Sequence, residues 1–290
     1  MRPARREPGT CLGNADGAGG LGKVAVTEQG TTGRHRLDGR RTAVTGGLGL
    51  IGAAVSAELA DLGAQVFILD ADADRWQAKR TELCQGARKL DFVPYDAAAT
   101  DGIEARVAAL EDTHGPFAVW VNAAYPRTQD WGNDVEHLDP ESWRANVDMQ
   151  LNAVCLTCNA VAARMAVRGG GAIVNLGSIY GCGAPDFGVY AGTGMTMPPA
   201  YAAIKAGLGN YSRYLASYWG AQGVRVNVVC PGGVSDCQPA AFVDNYAART
   251  PMRRMATPEE VAGPVAFLAT DAAAYITGAV LPVDGGWTAI

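Results

Sequence analysis

The chain has 290 residues, 48% hydrophobic and 18% charged, and a formal net charge of −5. That length and apolar share suffice for one large core. No apolar run reaches the roughly 18 residues a membrane span needs, and no apolar stretch follows the early arginines as in a secretory signal, so a cytoplasmic protein without a membrane partner is expected.

Residues 1–41 carry a net charge of +4 and the remainder −9. An acidic body is a poor surface for nucleic acid, and no nucleic-acid partner is expected. The basic head, rich in Gly and Thr, lacks periodicity; residues 1–37 are expected to be a disordered extension and residues 38–290 one domain. The seven cysteines, odd in number and scattered, do not form a disulfide framework. Cys155 and Cys158 make a C-x-x-C inside a helical pattern with no second ligand pair, and no metal is expected.

From Arg41 onward, strand-like and helix-like stretches alternate. The segments 41–45, 65–69, 117–121, 171–176 and 224–230 are short, apolar and β-branched, as doubly buried strands are. The stretch 91–95 is weaker because Pro94 has no amide donor, and 279–284 gives a seventh. Helical patterns cover 53–62, 75–84, 102–110, 140–167, 200–219 and 258–269. Strict alternation predicts an α/β fold of the Rossmann type: a doubly wound parallel sheet of about seven strands, with ligands at the carboxyl ends of its strands.

The first strand runs into "TGGLGLIG", residues 45–52, and an amphipathic helix leaves it. Glycines there permit a tight turn and close backbone approach, and the helix N-terminus offers free N–H groups to a pyrophosphate. Gly46, Gly49, Ile51 and Gly52 are the candidate contacts with a dinucleotide. Asp70 closes the second strand, where a carboxylate can accept both ribose hydroxyls and repel a 2′-phosphate. No Arg or Lys stands at 46–52 or 71, so NAD is expected over NADP.

"YAAIK" places Tyr201 and Lys205 one helical turn apart on one face. An ammonium beside a phenol stabilises the phenolate, bringing a group with a free pKa of about 10 nearer to neutrality as acid or base. Ser178 follows the fifth strand, where a hydroxyl can hold a reacting carbonyl or alcohol oxygen.

Taken together these residues resemble the short-chain dehydrogenase/reductase family, over residues 38–290 and including "VNAAY", "VVCPGG" and "ITGAVLPVDGG". The resemblance implies that Tyr201 is the general acid/base, that Lys205 holds the nicotinamide ribose and that Ser178 orients a small-molecule substrate. It further implies cofactor contacts at Asp96, Asn122, Pro231 and Gly232, and a homo-oligomer, dimer or tetramer, built on the helices starting near Pro140 and Ala200. The combination of "NAAYPR", the aromatic-rich segment after Ser178, "YAAIK" and "PGGV" is similar to oxidoreductases of flagellin-modification and nonulosonic-acid sugar pathways, which implies a sugar or amino-sugar substrate.

The T-G-x-x-G-x-x-G spacing is that of extended, sugar-nucleotide-modifying members, yet the chain stops too soon after Lys205 for their added substrate domain; a compact enzyme is expected. Gln150 stands where the family has an asparagine and Asp236 where it has a threonine, and Ser178 and Tyr201 lie 23 residues apart rather than about a dozen. Tyr190 and Phe187 in that long segment either stack on substrate or pack the loop. Arg127 either binds an anionic substrate group or is a solvated cation. The expected reaction is interconversion of a secondary alcohol and a ketone with NAD(H); the alternatives are an NAD-retaining sugar epimerase or dehydratase, and a non-catalytic dinucleotide-binding regulator.

Overall fold

The computed structural model describes residues 33–290. Seven parallel strands, in the order β3-β2-β1-β4-β5-β6-β7, are β1 Arg41–Thr45, β2 Gln65–Asp70, β3 Lys89–Pro94, β4 Val119–Asn122, β5 Gly171–Leu176, β6 Val224–Pro231 and β7 Val280–Val283. The central strands are buried on both faces, as their near-continuous apolar runs require. Pro94 is tolerated because β3 is an edge strand and the proline ends it.

The helices are α1 Leu50–Asp61, α2 Ala73–Leu83, α3 Ile103–His114, α4 Pro140–Val147, α5 Ala153–Val167, α6 Pro199–Trp219, α7 Ala240–Arg249 and α8 Pro258–Ala269. Alternation along each strand divides the core. Val44, Ile68, Val121 and Val174 pack under α1 and α8, while Ala43, Phe67, Trp120 and Ile173 pack under α3, α5 and α6. The last helix begins on a reciprocal cap: Thr257 Oγ1 accepts from the Glu260 amide and Glu260 Oε2 accepts from the Thr257 amide, with Pro258 at the first helical position.

Three elements differ from expectation. The helix expected over 140–167 is interrupted by a π-type turn at Asp148–Asn152, whose Leu151 packs against Gly207 of α6. Its flanking dihedrals stay helical, so apolar periodicity carries no trace of the extra residue. Helix α7 was not expected at all. The ordered fold also begins before residue 38: Gly33–His35 form a 3-10 turn and Leu37 is fully buried against the α1–α8 side of the core. The rest of the expected N-terminal extension lies outside the described residues. Among the described residues no helix is long and apolar enough to cross a membrane, and no group of three or more His, Cys, Asp or Glu is placed to hold a metal.

One buried carboxylate ties the far end of the sheet to α5. Glu111 of α3, 7% exposed, accepts from Arg164, from both Arg168 amino groups at 2.8 and 2.9 Å, and from the Phe117 amide at 3.3 Å. Its pKa is lowered: burial alone would raise it, and the two guanidiniums outweigh that. Because the folded pKa lies below the unfolded one, the stabilisation is complete above about pH 4.5 and is lost as pH falls through the folded value. Glu111→Ala is expected to cost about 2–4 kcal/mol at pH 7, measured by urea unfolding, with the gap from the parent protein narrowing below pH 4.

Candidate active site

The glycine turn is built by backbone-on-backbone packing. Gly46 has φ +65°, and a Cβ there would lie 2.5 Å from Ala124 Cα, just past β4. At Gly52 a Cβ would lie 2.1 Å from the Gly46 carbonyl oxygen. Gly49 differs: its φ is −67°, it is the N-cap of α1, and a Cβ would meet only the Gly46 oxygen at 3.3 Å. No side chain caps α1, so its first-turn amides face the turn ready for an anion. Ile51 sits half-buried in that first turn and packs against the core.

Asp70 turns toward this turn. One carboxylate oxygen accepts from the Leu48 amide at 3.1 Å and the other from the Asp72 amide at 3.2 Å. Lys79 of α2, which the sequence reading passed over, donates to the Leu48 carbonyl at 3.3 Å. Asp96, exposed past the end of β3, accepts from the Ala98 amide.

Asn122 requires a correction. Its side chain does not face the rim: Nδ2 donates to Asn175 Oδ1 at 2.8 Å and Cys158 Sγ at 3.3 Å, while Oδ1 accepts from Trp120 Nε1 at 3.0 Å and Thr45 Oγ1 at 3.5 Å. With both side-chain donors and the side-chain acceptor engaged under β4, only the main chain of Asn122 remains to meet a cofactor. The same web explains the C-x-x-C: burial pushes both thiols up to about 12, far from metal-binding or redox reactivity.

At the rim of β5, Ser178 is 5% exposed and its Oγ accepts from the Tyr180 amide at 3.1 Å. The chain then turns through Ile179–Gly181, and Gly181 lies so close to α6 that a Cβ would fall 2.7 Å from the Lys205 carbonyl carbon. Lys205 Nζ donates to the Leu176 carbonyl at 2.8 Å. These two ties lay the first turns of α6 along the end of β5, and Ser178 becomes the neighbour that opposes the rise of the Tyr201 pKa despite the 22 intervening residues. The intervening segment bulges outward and is held by α7: Asn245 donates to the Val189 and Ala191 carbonyls, and Arg249 pairs with Asp186 at 3.2 Å. Tyr190 packs the segment, buried against Tyr180 and Phe242, whereas Phe187 is 61% exposed.

In the chain itself, burial acts on both Tyr201 and Lys205. Burial raises the Tyr201 pKa, opposed by Ser178, and burial lowers Lys205 to about 8. The ammonium stands 5.6 Å from the Tyr201 ring centroid and directs a proton to Leu176, so desolvation of both groups outweighs their coupling.

Two aromatic side chains at this site had no role assigned in the sequence reading. Tyr125 and Trp131, in the segment after β4, pack edge-on against Tyr201 with centroid distances of 5.7 and 6.2 Å. Gln150 lies in the π-type turn, its amide nitrogen donating to Asn146 Oδ1 at 3.2 Å and its oxygen buried without a partner among the described residues. Pro231 ends β6 and Gly232 begins the turn after it, clamped by Tyr246 of α7, whose hydroxyl a Gly232 Cβ would meet at 2.6 Å. Asp236 is exposed past that turn.

A family model described as enoyl-(acyl carrier protein) reductase matches residues 49–288. The chain is 36% identical over 258 residues to cis-4-hydroxycyclohexanecarboxylate dehydrogenase of Sinomonas cyclohexanicum, covering 87% of this chain and 97% of that protein. The chain belongs to the short-chain dehydrogenase/reductase family. It is an oxidoreductase of CH–OH groups, and its family binds a nicotinamide dinucleotide. Galactitol 2-dehydrogenase of Rhizobium johnstonii is 35% identical over 266 residues, covering 88% of this dehydrogenase and 97% of its own length. A gluconate 5-dehydrogenase from Burkholderia cenocepacia, solved in complex with NADP and tartrate, superposes with a TM-score of 0.79 at 27% identity, covering 89% of this chain and 99% of that one.

The two glycines that bound the turn are expected to behave differently from the one between them. Gly52→Ala forces the turn off α1 and should lower stability by about 1–3 kcal/mol while abolishing NADH binding. Gly49→Ala should keep the melting temperature within a few degrees and weaken NADH binding only. Thermal unfolding and NADH fluorescence titration separate the two.

Proposed function

We propose that this dehydrogenase interconverts a secondary alcohol and a ketone with NAD(H), Tyr201 exchanging the proton, Ser178 holding the reacting oxygen and Lys205 holding the nicotinamide ribose. The observation that carries this reading is the gathering of three side chains at the end of β5: Ser178 near enough to Tyr201 to oppose the rise of its pKa, and Lys205 5.6 Å from the Tyr201 ring and anchored on the Leu176 carbonyl. Gly46, Gly49, Ile51, Gly52, Asp70, Asp96 and the Pro231–Gly232 turn are the chain's side of the dinucleotide site; the glycine cradle and the uncapped start of α1 fit a pyrophosphate. When bound, the nicotinamide supplies the hydride chemistry.

In oxidation Tyr201 Oη takes the hydroxyl proton while Ser178 keeps the oxygen in place; in reduction Tyr201 returns it. The raised phenol pKa favours the protonated form at neutrality, which suits reduction. The relatives named above take a hydroxylated ring, a polyol and a sugar acid, and a sugar-derived or cyclic secondary alcohol is the substrate class proposed for this chain. Exposed Leu156 on α5 and Tyr214 and Tyr218 on α6 support a homo-oligomer built on those helices.

The preference for NAD rests on Asp70, whose carboxylate stands at the ribose corner beside Leu48. Asp70→Ser is expected to raise kcat/KM for NADP+ at least tenfold relative to NAD+, since Lys79 then meets a 2′-phosphate without a competing carboxylate; a parent enzyme that already prefers NADP+ overturns the assignment. Tyr201→Phe is expected to lower kcat by about 10²–10⁴ with NADH affinity retained, followed at 340 nm. Because burial raises the phenol above its ordinary value of about 10, oxidation should accelerate and reduction should slow only as pH rises past 10; a phenylalanine variant with parental turnover overturns the role of Tyr201.

A further inference from the structure

The segment between β4 and α4 brings a cation and a phenol to the mouth of this site. Arg127 is exposed and makes no ion pair among the described residues. Its guanidinium carbon lies 5.4 Å from the ring centroid of Tyr125, which itself packs on Tyr201. The neighbouring cations are committed elsewhere, Lys205 to Leu176 and Arg249 to Asp186. The neighbouring acid, Asp130, accepts from Ser142 Oγ at 2.8 Å and leaves Arg127 unneutralised.

Tyr125 adds a second donor. Its hydroxyl oxygen accepts from Trp131 Nε1 at 2.6 Å, while Arg127 stands over the ring face. With the Trp131 donor on its oxygen, the phenol keeps its own hydrogen for another acceptor, and Tyr125 is 41% exposed. The supporting segment is fixed: Asn146 of α4 donates to Thr128 Oγ1 at 2.7 Å, and its carbonyl oxygen accepts from the Thr128 amide and from Gln150. A free guanidinium and a free O–H on a braced loop, beside the ring that exchanges the proton, make an anion receptor.

Resting on the oxidoreductase reading above, we infer that Arg127 and the Tyr125 hydroxyl bind an anionic group, carboxylate or phosphate, carried by the substrate a few carbons from its reacting carbinol. Arg127 takes the two oxygens side by side, Tyr125 donates to one of them, and the Trp131 ring covers the carbon skeleton between anion and carbinol. The enzyme is thereby a hydroxy-acid or sugar-phosphate dehydrogenase rather than a neutral polyol dehydrogenase.

The test compares matched alcohols with the full-length enzyme and NAD+: 4-hydroxycyclohexanecarboxylate against its primary amide, gluconate against sorbitol, and glucitol 6-phosphate against sorbitol. At least one anion should exceed its neutral partner by tenfold or more in kcat/KM, and the arm that responds identifies carboxylate or phosphate. Arg127→Gln should raise KM for that anion about 10- to 100-fold with kcat within about twofold, and leave the neutral partner unchanged; Arg127→Lys should recover part of the loss. Tyr125→Phe should raise the same KM severalfold.

Calorimetry with unreactive cyclohexanecarboxylate and its amide gives a reading independent of turnover: the acid should bind the parent and not Arg127→Gln. Equal use of acid and neutral partner, or an Arg127→Gln enzyme with parental KM, overturns the anion receptor while the alcohol oxidoreductase stands. No NADH formed from any of these alcohols, with no binding of the acid, overturns both.

Discussion

Two places where main chain touches main chain without room for a β-carbon fix the geometry of this molecule. Gly46 rests on Ala124, and Gly52 rests on the Gly46 carbonyl. The first contact brings the turn after β1 against the turn after β4; the second sets α1 directly on that turn. Any side chain at either point would separate three elements by more than an ångström, and the amides at the start of α1 would no longer face the place where the strand ends converge. The loop that holds Asp70 through Leu48 and the loop that carries Tyr125 and Arg127 therefore share one rim because of a steric fact about two glycines.

Below that rim the sheet is held in register by polar groups that never meet solvent. Asn122 on β4 donates to Asn175 on β5, and Asn175 donates to Ser212 on α6 at 3.0 Å. Such a chain is costly unless every member is satisfied, and here each is. It fixes the rotation of α6 relative to β5 two turns beyond Lys205, so the face bearing Tyr201 and Lys205 is set by buried hydrogen bonds as well as by packing. The bond from Lys205 to Leu176 then completes the alignment at the rim, at the expense of a desolvated ammonium whose pKa falls to about 8.

Much of this was legible in the residues, and the division between what was and what was not has a physical basis. Strand β5 and helix α8 were read with their observed ends because a doubly buried apolar run and a capping box with proline are local signals. That Ser178, Tyr201 and Lys205 gather at the end of β5 was legible because their positions follow from strand ends and helical spacing. Asn122 was assigned to the cofactor because its place in the chain is at the rim; only the fold reveals that its side chain turns inward to Asn175. The π-type turn at Asp148–Asn152 leaves the sequence periodicity intact, and α7 lies in a stretch whose apolar residues, Phe242 and Tyr246, face the segment 187–190 rather than the sheet. Trp131 gave no signal because its meeting with Tyr125 and Tyr201 depends on how a loop folds back.

The same division separates the two halves of the site. The dinucleotide side is made of backbone turns at strand ends, where sequence spacing and geometry are tightly coupled, so a short motif suffices to announce it. The proposed substrate side is made of side chains on two loops, 123–139 and 179–198, the first braced by the helix that follows it and the second by a helix some fifty residues on: Asn146 of α4 donates to Thr128, and Asn245 and Arg249 of α7 hold Val189, Ala191 and Asp186. Those braces lie outside the reacting centre, so the loops can change composition without disturbing Ser178, Tyr201 and Lys205. A fold arranged in this way can keep one proton-transfer apparatus while its choice of alcohol is set by a few residues, and Arg127, Tyr125 and Trp131 are the residues we propose for that position.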